Sequence, residues 1–223
     1  MSSLSSEDIL LAGDILEISV DYMISRNQNA LSFLRDMATI APVFYCFGNH
    51  EIYFSHAKKG QSPVSEQKLF NENLEAIKDI GIHIVNDSFE AATDGVSICG
   101  VVCGYDKNPD DERTCPNQEV LNDFDALDDF KILLCHYPHY YEQHLKNSSF
   151  DLILSGHAHG GQWRILGRGV YAPHQGLFPK YTSGIYDDRF IISRGAVNSI
   201  APIPRIFNPC EVLEITLKPT PNK

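Results

Sequence analysis

Four short apolar runs in this chain each end in residues able to bind a metal ion. Ile9-Leu10-Leu11-Ala12 leads into Gly13-Asp14, and Val43–Phe47 leads into Gly48-Asn49-His50-Glu51. Ile132–Cys135 leads into His136, and Leu152–Ser155 into Gly156-His157-Ala158-His159-Gly160. Asp, Asn and His offer oxygen and imidazole nitrogen without thiolate. That mix suits Mn, Fe, Zn or similar divalent ions rather than a calcium cage or an iron–sulfur cluster. One carboxylate can bridge two ions, a neutral Asn oxygen ligates without adding charge, and His157 and His159 can face two adjacent ions where the backbone is irregular.

Each piece has an ordinary reading when taken alone. Gly-Asp after a strand is a turn, and Asn-His beside glycine carries little information. Four such endings in order, each after a strand-like run, are hard to account for without shared chemistry. Ligand-binding sites in open α/β sheets are built at the carboxyl ends of strands, and glycine there lets the backbone turn sharply and approach closely. The other histidines, His56, His83, His139, His144 and His174, read as ordinary surface or partly buried residues, with His174 of the Gly/Pro-rich stretch the one that could take over as a ligand if the chain proved fully active.

The elements that must position these residues follow from hydrophobic period. Strands are predicted at Ile9–Ala12, Pro42–Phe47, His83–Val85, Ser97–Cys103, Lys131–Cys135, Asp151–Leu154, Arg189–Ser193 and Glu211–Leu217. Between them, Asn29–Ile40, Glu66–Ile80, Asn117–Leu127 and Pro138–Leu145 carry helical spacing, and Gly81 supplies a C-terminal stop to the second. The alternation predicts an α/β chain. Residues 160–209 hold seven of the 15 glycines and five of the 12 prolines. They read as a long ordered loop region near the site, broken by the strand at 189–193.

At 223 residues the length suits one domain spanning 1–223 with a core of its own. With 18 Lys and Arg against 29 Asp and Glu, the net charge is −11, which argues against binding duplex nucleic acid. His159–Arg205 runs against that balance, with six Arg or Lys (164, 168, 180, 189, 194 and 205) against Asp187 and Asp188. Such a stretch is either a rim for an anionic small substrate or a solvated loop. The six cysteines form no CxxC pair, and Cys46, Cys103 and Cys135 lie in or beside strand runs, which predicts buried free thiols in a reducing compartment. No apolar run is long enough to span a membrane and no signal-peptide pattern opens the chain. The expectation is a cytoplasmic protein, or a peripheral one at the cytoplasmic membrane face.

Gly13-Asp14-x-x-Glu17, Gly48-Asn49-His50-Glu51, His136 and Gly156-His157-Ala158-His159 together resemble the calcineurin-like metallophosphoesterase superfamily. The run Gly-His-Ala-His-Gly-Gly-Gln, the loop Tyr171-Ala172-Pro173 with Gly176–Pro179, Ser193-Arg194-Gly195 and Phe207-Asn208-Pro209 are similar to its YkuE/YaeI-like branch of bacterial phosphohydrolases. The resemblance implies two packed mixed β-sheets flanked by helices in a four-layer sandwich. It also implies hydrolysis of a small phosphomonoester or phosphodiester, through in-line attack by a metal-activated hydroxide. By position, Asp14 would bridge two metals, Asn49, His136 and His157 would complete the second site, and His159 would serve the first. His50 would act on the leaving-group oxygen, with Glu17 orienting it where the pattern has an Asp.

One part of the pattern is missing. The superfamily opens with a strand bearing Asp-x-His, and only 13 residues precede Asp14 here. That predicts loss of the opening strand, through truncation or as a reduced form, with one tightly bound ion in place of the family's two. Activity would then be impaired. The alternative is a catalytically inactive interaction module, a use the fold has in the phosphoesterase-like subunit of retromer.

Overall fold

In the computed structural model, residues 7–16, 20–55, 64–93, 95–102, 116–197 and 204–218 are described. Two sheets form the frame. The first is parallel, in the order β1 (Ile9–Ala12), β2 (Val43–Cys46), β3 (His83–Ile84). The second has six strands. Its centre is the parallel run β5 (Val96–Val101), β6 (Phe130–Cys135), β7 (Leu152–Ser155) and β13 (Phe190–Ile192). Antiparallel strands β4 (Ser88–Thr93) and β12 (Gly184–Tyr186) close its two edges.

Strand periodicity sorts side chains into three cores. On β2, Val43 and Tyr45 point to the helices while Phe44 and Cys46 point to the other sheet. On β6, Leu133 and Cys135 point outward while Ile132 and Leu134 meet Phe44 and Cys46 between the sheets. Because both sheets bury both faces, their strands read as continuous apolar runs. The outer layers are α1 (Val20–Ala38) with α3 (Val64–Ile80) on the first sheet, and α4 (Gln118–Asp125) with a π-turn at Tyr141–Leu145 on the second. The result is the expected helix–sheet–sheet–helix arrangement.

Local chemistry explains the helix ends. Asn117 caps α4, its side-chain oxygen accepting from the backbone N–H groups of Glu119 and Val120. Gly81, at φ +87°, ends α3 by a Schellman turn, in which Gly81 N–H bonds Lys78 carbonyl and Ile82 N–H bonds Ile77 carbonyl. A short helix, α2 (Asn49–Ser55), begins directly after β2 and was not apparent from the sequence.

Three expectations need correction or qualification. Glu211–Leu217 is not a strand. An alternating apolar pattern makes a strand only against another strand's edge, and among the described residues none lies beside it. Glu211 is instead held by Gly195 and Arg194, and Val212 is 83% exposed. The 160–209 region is not one loop, since it folds into the hairpins β8 (Arg164–Ile165)–β9 (Arg168–Gly169) and β10 (Tyr171–Ala172)–β11 (Gly176–Leu177). Cys46, Cys99 and Cys135 are the buried free thiols, while Cys103 lies outside the described residues. β1 stands at an edge of its sheet, with no strand before it among the described residues. No helix among them is long and apolar enough to cross a membrane.

Candidate metal centre

The carboxyl ends of β1, β2, β6 and β7 converge at the junction of the two sheets. After β1, Gly13 turns at φ +94° and Asp14 follows at φ +59°. A Cβ on Gly13 would run into His136 Nδ1 and the backbone of Gly48, and one on Gly48 would run into Asp14 Oδ1. Glycine at these two places is what lets the β1 and β2 ends close on each other.

His136, at the end of β6, is held at both ring nitrogens. Nδ1 lies 2.6 Å from the Ala12 carbonyl, which can only accept, so Nδ1 carries a proton. Nε2 lies 3.1 Å from Asp14 Oδ2, 3.1 Å from Asn49 Oδ1 and 3.2 Å from His157 Nδ1. Asp14, His136 and His157 are the one group of three or more His, Cys, Asp or Glu among the described residues able to hold an ion, with ligand atoms within 4.8 Å of one another. A single N–H at Nε2 cannot satisfy three lone-pair donors. A cation among them can, and oxygen and imidazole donors match a divalent transition metal. The donor set therefore fits the implied ion.

The charges agree. Burial works against a charge on His136, but the Asp14 carboxylate outweighs it and pushes the group up to about 9. For Asp14, burial is likewise overcome by His136, with a smaller contribution from His50, and its carboxyl is held well below the usual range. His157 is pushed far down, first by burial and then by the neighbouring His136. An ion would replace the His136 proton at the centre of this pair.

Asp14 is positioned by Glu51, whose role the motif alone did not reveal. The Glu51 side chain is fully buried and accepts five hydrogen bonds. Oε2 takes Asp14 N–H (3.0 Å) and Gly48 N–H (2.8 Å). Oε1 takes Ile15 N–H (2.7 Å), Leu16 N–H (2.7 Å) and the Tyr45 hydroxyl (2.6 Å). One carboxylate thus ties the turn after β1 to the turn after β2. Its place in the first turn of α2 suits the helix dipole.

The remaining candidates separate. His50 follows Asn49 on α2, and its backbone N–H donates to Asp14 Oδ1 at 3.0 Å. His159 stays outside the three-residue group. It sits at φ +48° with its carbonyl tied to the Asn208 amide at 2.6 Å, and burial holds it down to about 4. Glu17 lies outside the described residues. His174, read as ordinary, stands 3.0 Å from His157. Its contact with His157 was not apparent in the local sequence, because the β10–β11 turn that delivers it is set by tertiary contacts.

A family model described as calcineurin-like phosphoesterase matches residues 4–161. An uncharacterized metallophosphoesterase of Campylobacter jejuni is 27% identical over 227 residues, covering 96% of this chain and 51% of its own length. One from Aquifex aeolicus is 27% identical over 213 residues, covering 92% of this chain and 73% of its own. The phosphodiesterase YaeI of Escherichia coli is 28% identical over 204 residues, 86% of this chain and 63% of its own. The chain thus spans about half the length of the Campylobacter relative.

Proposed function

The chain belongs to the calcineurin-like phosphoesterase family, and from that premise we propose that it is a metal-dependent phosphohydrolase acting on a small phosphomonoester or phosphodiester. The observation that carries the proposal is the convergence of Asp14, Asn49 and His157 on His136 Nε2, from four strand ends in two sheets.

In this reading Asp14, Asn49, His136 and His157 hold one divalent ion, and His159 serves a second position that Asp14 bridges. When bound, such an ion would supply Lewis acidity at the phosphoryl oxygens and lower the pKa of a water nucleophile. His136 is aimed by its Nδ1–H bond to the Ala12 carbonyl, which leaves Nε2 for coordination. Asp14 is aimed by the Glu51 carboxylate through its own backbone N–H. His50 gives a proton to the leaving-group oxygen or stabilises its developing charge. Four of the six basic residues of the 164–205 stretch have structural partners: Lys180 and Arg194 pair with Glu142 and Glu211, and Arg164 and Arg189 are tied to backbone carbonyls.

The test is elemental analysis of protein purified without chelator, with turnover of bis(p-nitrophenyl) phosphate and p-nitrophenyl phosphate before and after Mn supplementation. About one tightly held ion per chain and slow, metal-dependent hydrolysis are expected. No retained metal after supplementation would defeat the proposal. Metal without turnover on either ester would favour the inactive interaction module.

A further inference from the structure

His157 presents its two ring nitrogens to different neighbours. Nδ1 faces the centre, 3.2 Å from His136 Nε2. Nε2 faces away from it, 3.0 Å from Nδ1 of His174. The two rings lie within 20° of parallel with centroids 5.1 Å apart, so the close approach is between ring-edge nitrogens and not between faces. A neutral imidazole has one N–H and one bare nitrogen, and only the bare one can ligate. For Nδ1 to serve the centre, the proton must sit on Nε2, where the close acceptor among the described residues is His174 Nδ1.

We infer that His174 is a positioning residue of the centre: its Nδ1 accepts the Nε2–H of His157, fixing the tautomer and ring orientation that leave His157 Nδ1 bare. This rests on the metal-centre reading and extends it by one residue. A partner of this kind raises ligand basicity and holds the ring against rotation.

The loop carrying His174 is built to keep it there. His174 lies at the turn of the β10–β11 hairpin with φ +60°, a left-handed conformation that His, Asn and Asp enter more readily than most residues. Pro173 precedes it with a fixed φ. Gln175 follows and anchors the turn twice to Tyr181, its amide donating to the Tyr181 carbonyl at 2.7 Å and its oxygen accepting from Tyr181 N–H at 3.1 Å. Tyr137 and His139 line the other sides of the His174 ring, with centroids 5.5 and 5.2 Å away. His174 is itself exposed to solvent, so these two rings and the turn anchors hold it from one side only, and it has one hydrogen-bonding direction that matters to the centre.

The test compares the unaltered chain with His174→Asn, which keeps an acceptor and tolerates the left-handed backbone, and with His174→Gly, which tolerates the backbone and removes the acceptor. Co(II) affinity is measured by chelator competition, the ligand field by the visible Co(II) spectrum, and the tautomer of His157 in metal-free protein by imidazole ¹⁵N shifts. His174→Gly should weaken Co(II) binding by roughly 10–100-fold, the range for loss of such a partner, with the band pattern unchanged. It should also convert a pure Nε2–H form of His157 into a tautomer mixture. His174→Asn should restore most of both. Unchanged affinity and tautomer in His174→Gly would overturn the inference while leaving the metal centre standing. A changed band pattern would overturn it in favour of direct ligation by His174. No Co(II) binding by the unaltered chain would defeat the metal-centre reading itself, and this inference with it.

Discussion

Replacing Glu51 with Gln changes neither the size nor the shape of the side chain, so its effect isolates the five-donor carboxylate. If the amide NH₂ takes the place of Oε2, the N–H groups of Asp14 and Gly48 lose their acceptor. If it takes the place of Oε1, Ile15 and Leu16 lose theirs, while the Tyr45 hydroxyl can turn and accept instead. Either way two backbone donors are stranded in a buried site, at about 1–3 kcal/mol each. The surviving bonds also lose their charge assistance, whereas removal of a buried charge works the other way. A net loss of about 4 kcal/mol is expected, a large share of the roughly 5–15 kcal/mol typical of a native domain. Urea unfolding of the metal-free protein reads it directly, with Tyr45→Phe as the one-donor comparison at about 2 kcal/mol. The stranded groups include Asp14 N–H in one orientation and are those of the two residues that follow it in the other. The turn holding Asp14 loosens either way, so Mn affinity should fall as well. A loss under about 1 kcal/mol would refute the argument. So would full destabilisation with unchanged metal affinity, since that would make Glu51 a support of the fold and not of Asp14.

Two further outcomes follow from the same geometry. His157→Ala should abolish metal retention by removing an inner-sphere donor, whereas His50→Ala should keep the metal and lower any turnover by roughly 10²–10⁴-fold; equal metal loss in both, by elemental analysis, would reverse these roles. His139 is held neutral down to about 4, first by burial and then by the neighbouring His174, against an ordinary value near 6.5, so the unfolded chain takes up a proton that the folded chain refuses. Stability should therefore fall as pH drops from about 6.5 towards 4 and level off below, by up to about 3 kcal/mol from this residue, and His139→Gln should flatten that part of the pH–stability curve.

Much of this was legible in the residues because it rests on local chemistry. β1, β2, β6 and β7 are apolar runs of strand length ended by glycine or ligand types, and the helix ends carry Asn117 and Gly81 where caps belong. The strand endings marked Asp14, Asn49, His136 and His157 together with their neighbours, and the family resemblance singled out those four as the proposed ligands. What was not legible depends on contacts between distant segments. Glu51 reads as one more acid in a helix-like start until five donors surround it. His174 belongs to a Gly- and Pro-rich stretch whose path is set by anchors such as Gln175 to Tyr181. Glu211–Leu217 shows the converse failure, in which a correct alternating pattern meets no edge to pair with.

The bond from His136 to the Ala12 carbonyl joins residues 124 positions apart, and the donors around it come from both sheets. Pairings of this reach close long loops before they return any contact energy, and so they form late in folding. The centre is therefore a property of the docked sheets and of no part of the chain before docking. A folding intermediate with one sheet complete offers an ion at most two of the four donors proposed for it. An ion that recognises only the docked form adds its binding energy to that form alone. The metal would then act as a latch that slows the opening of the sandwich while leaving the speed of its assembly to the chain.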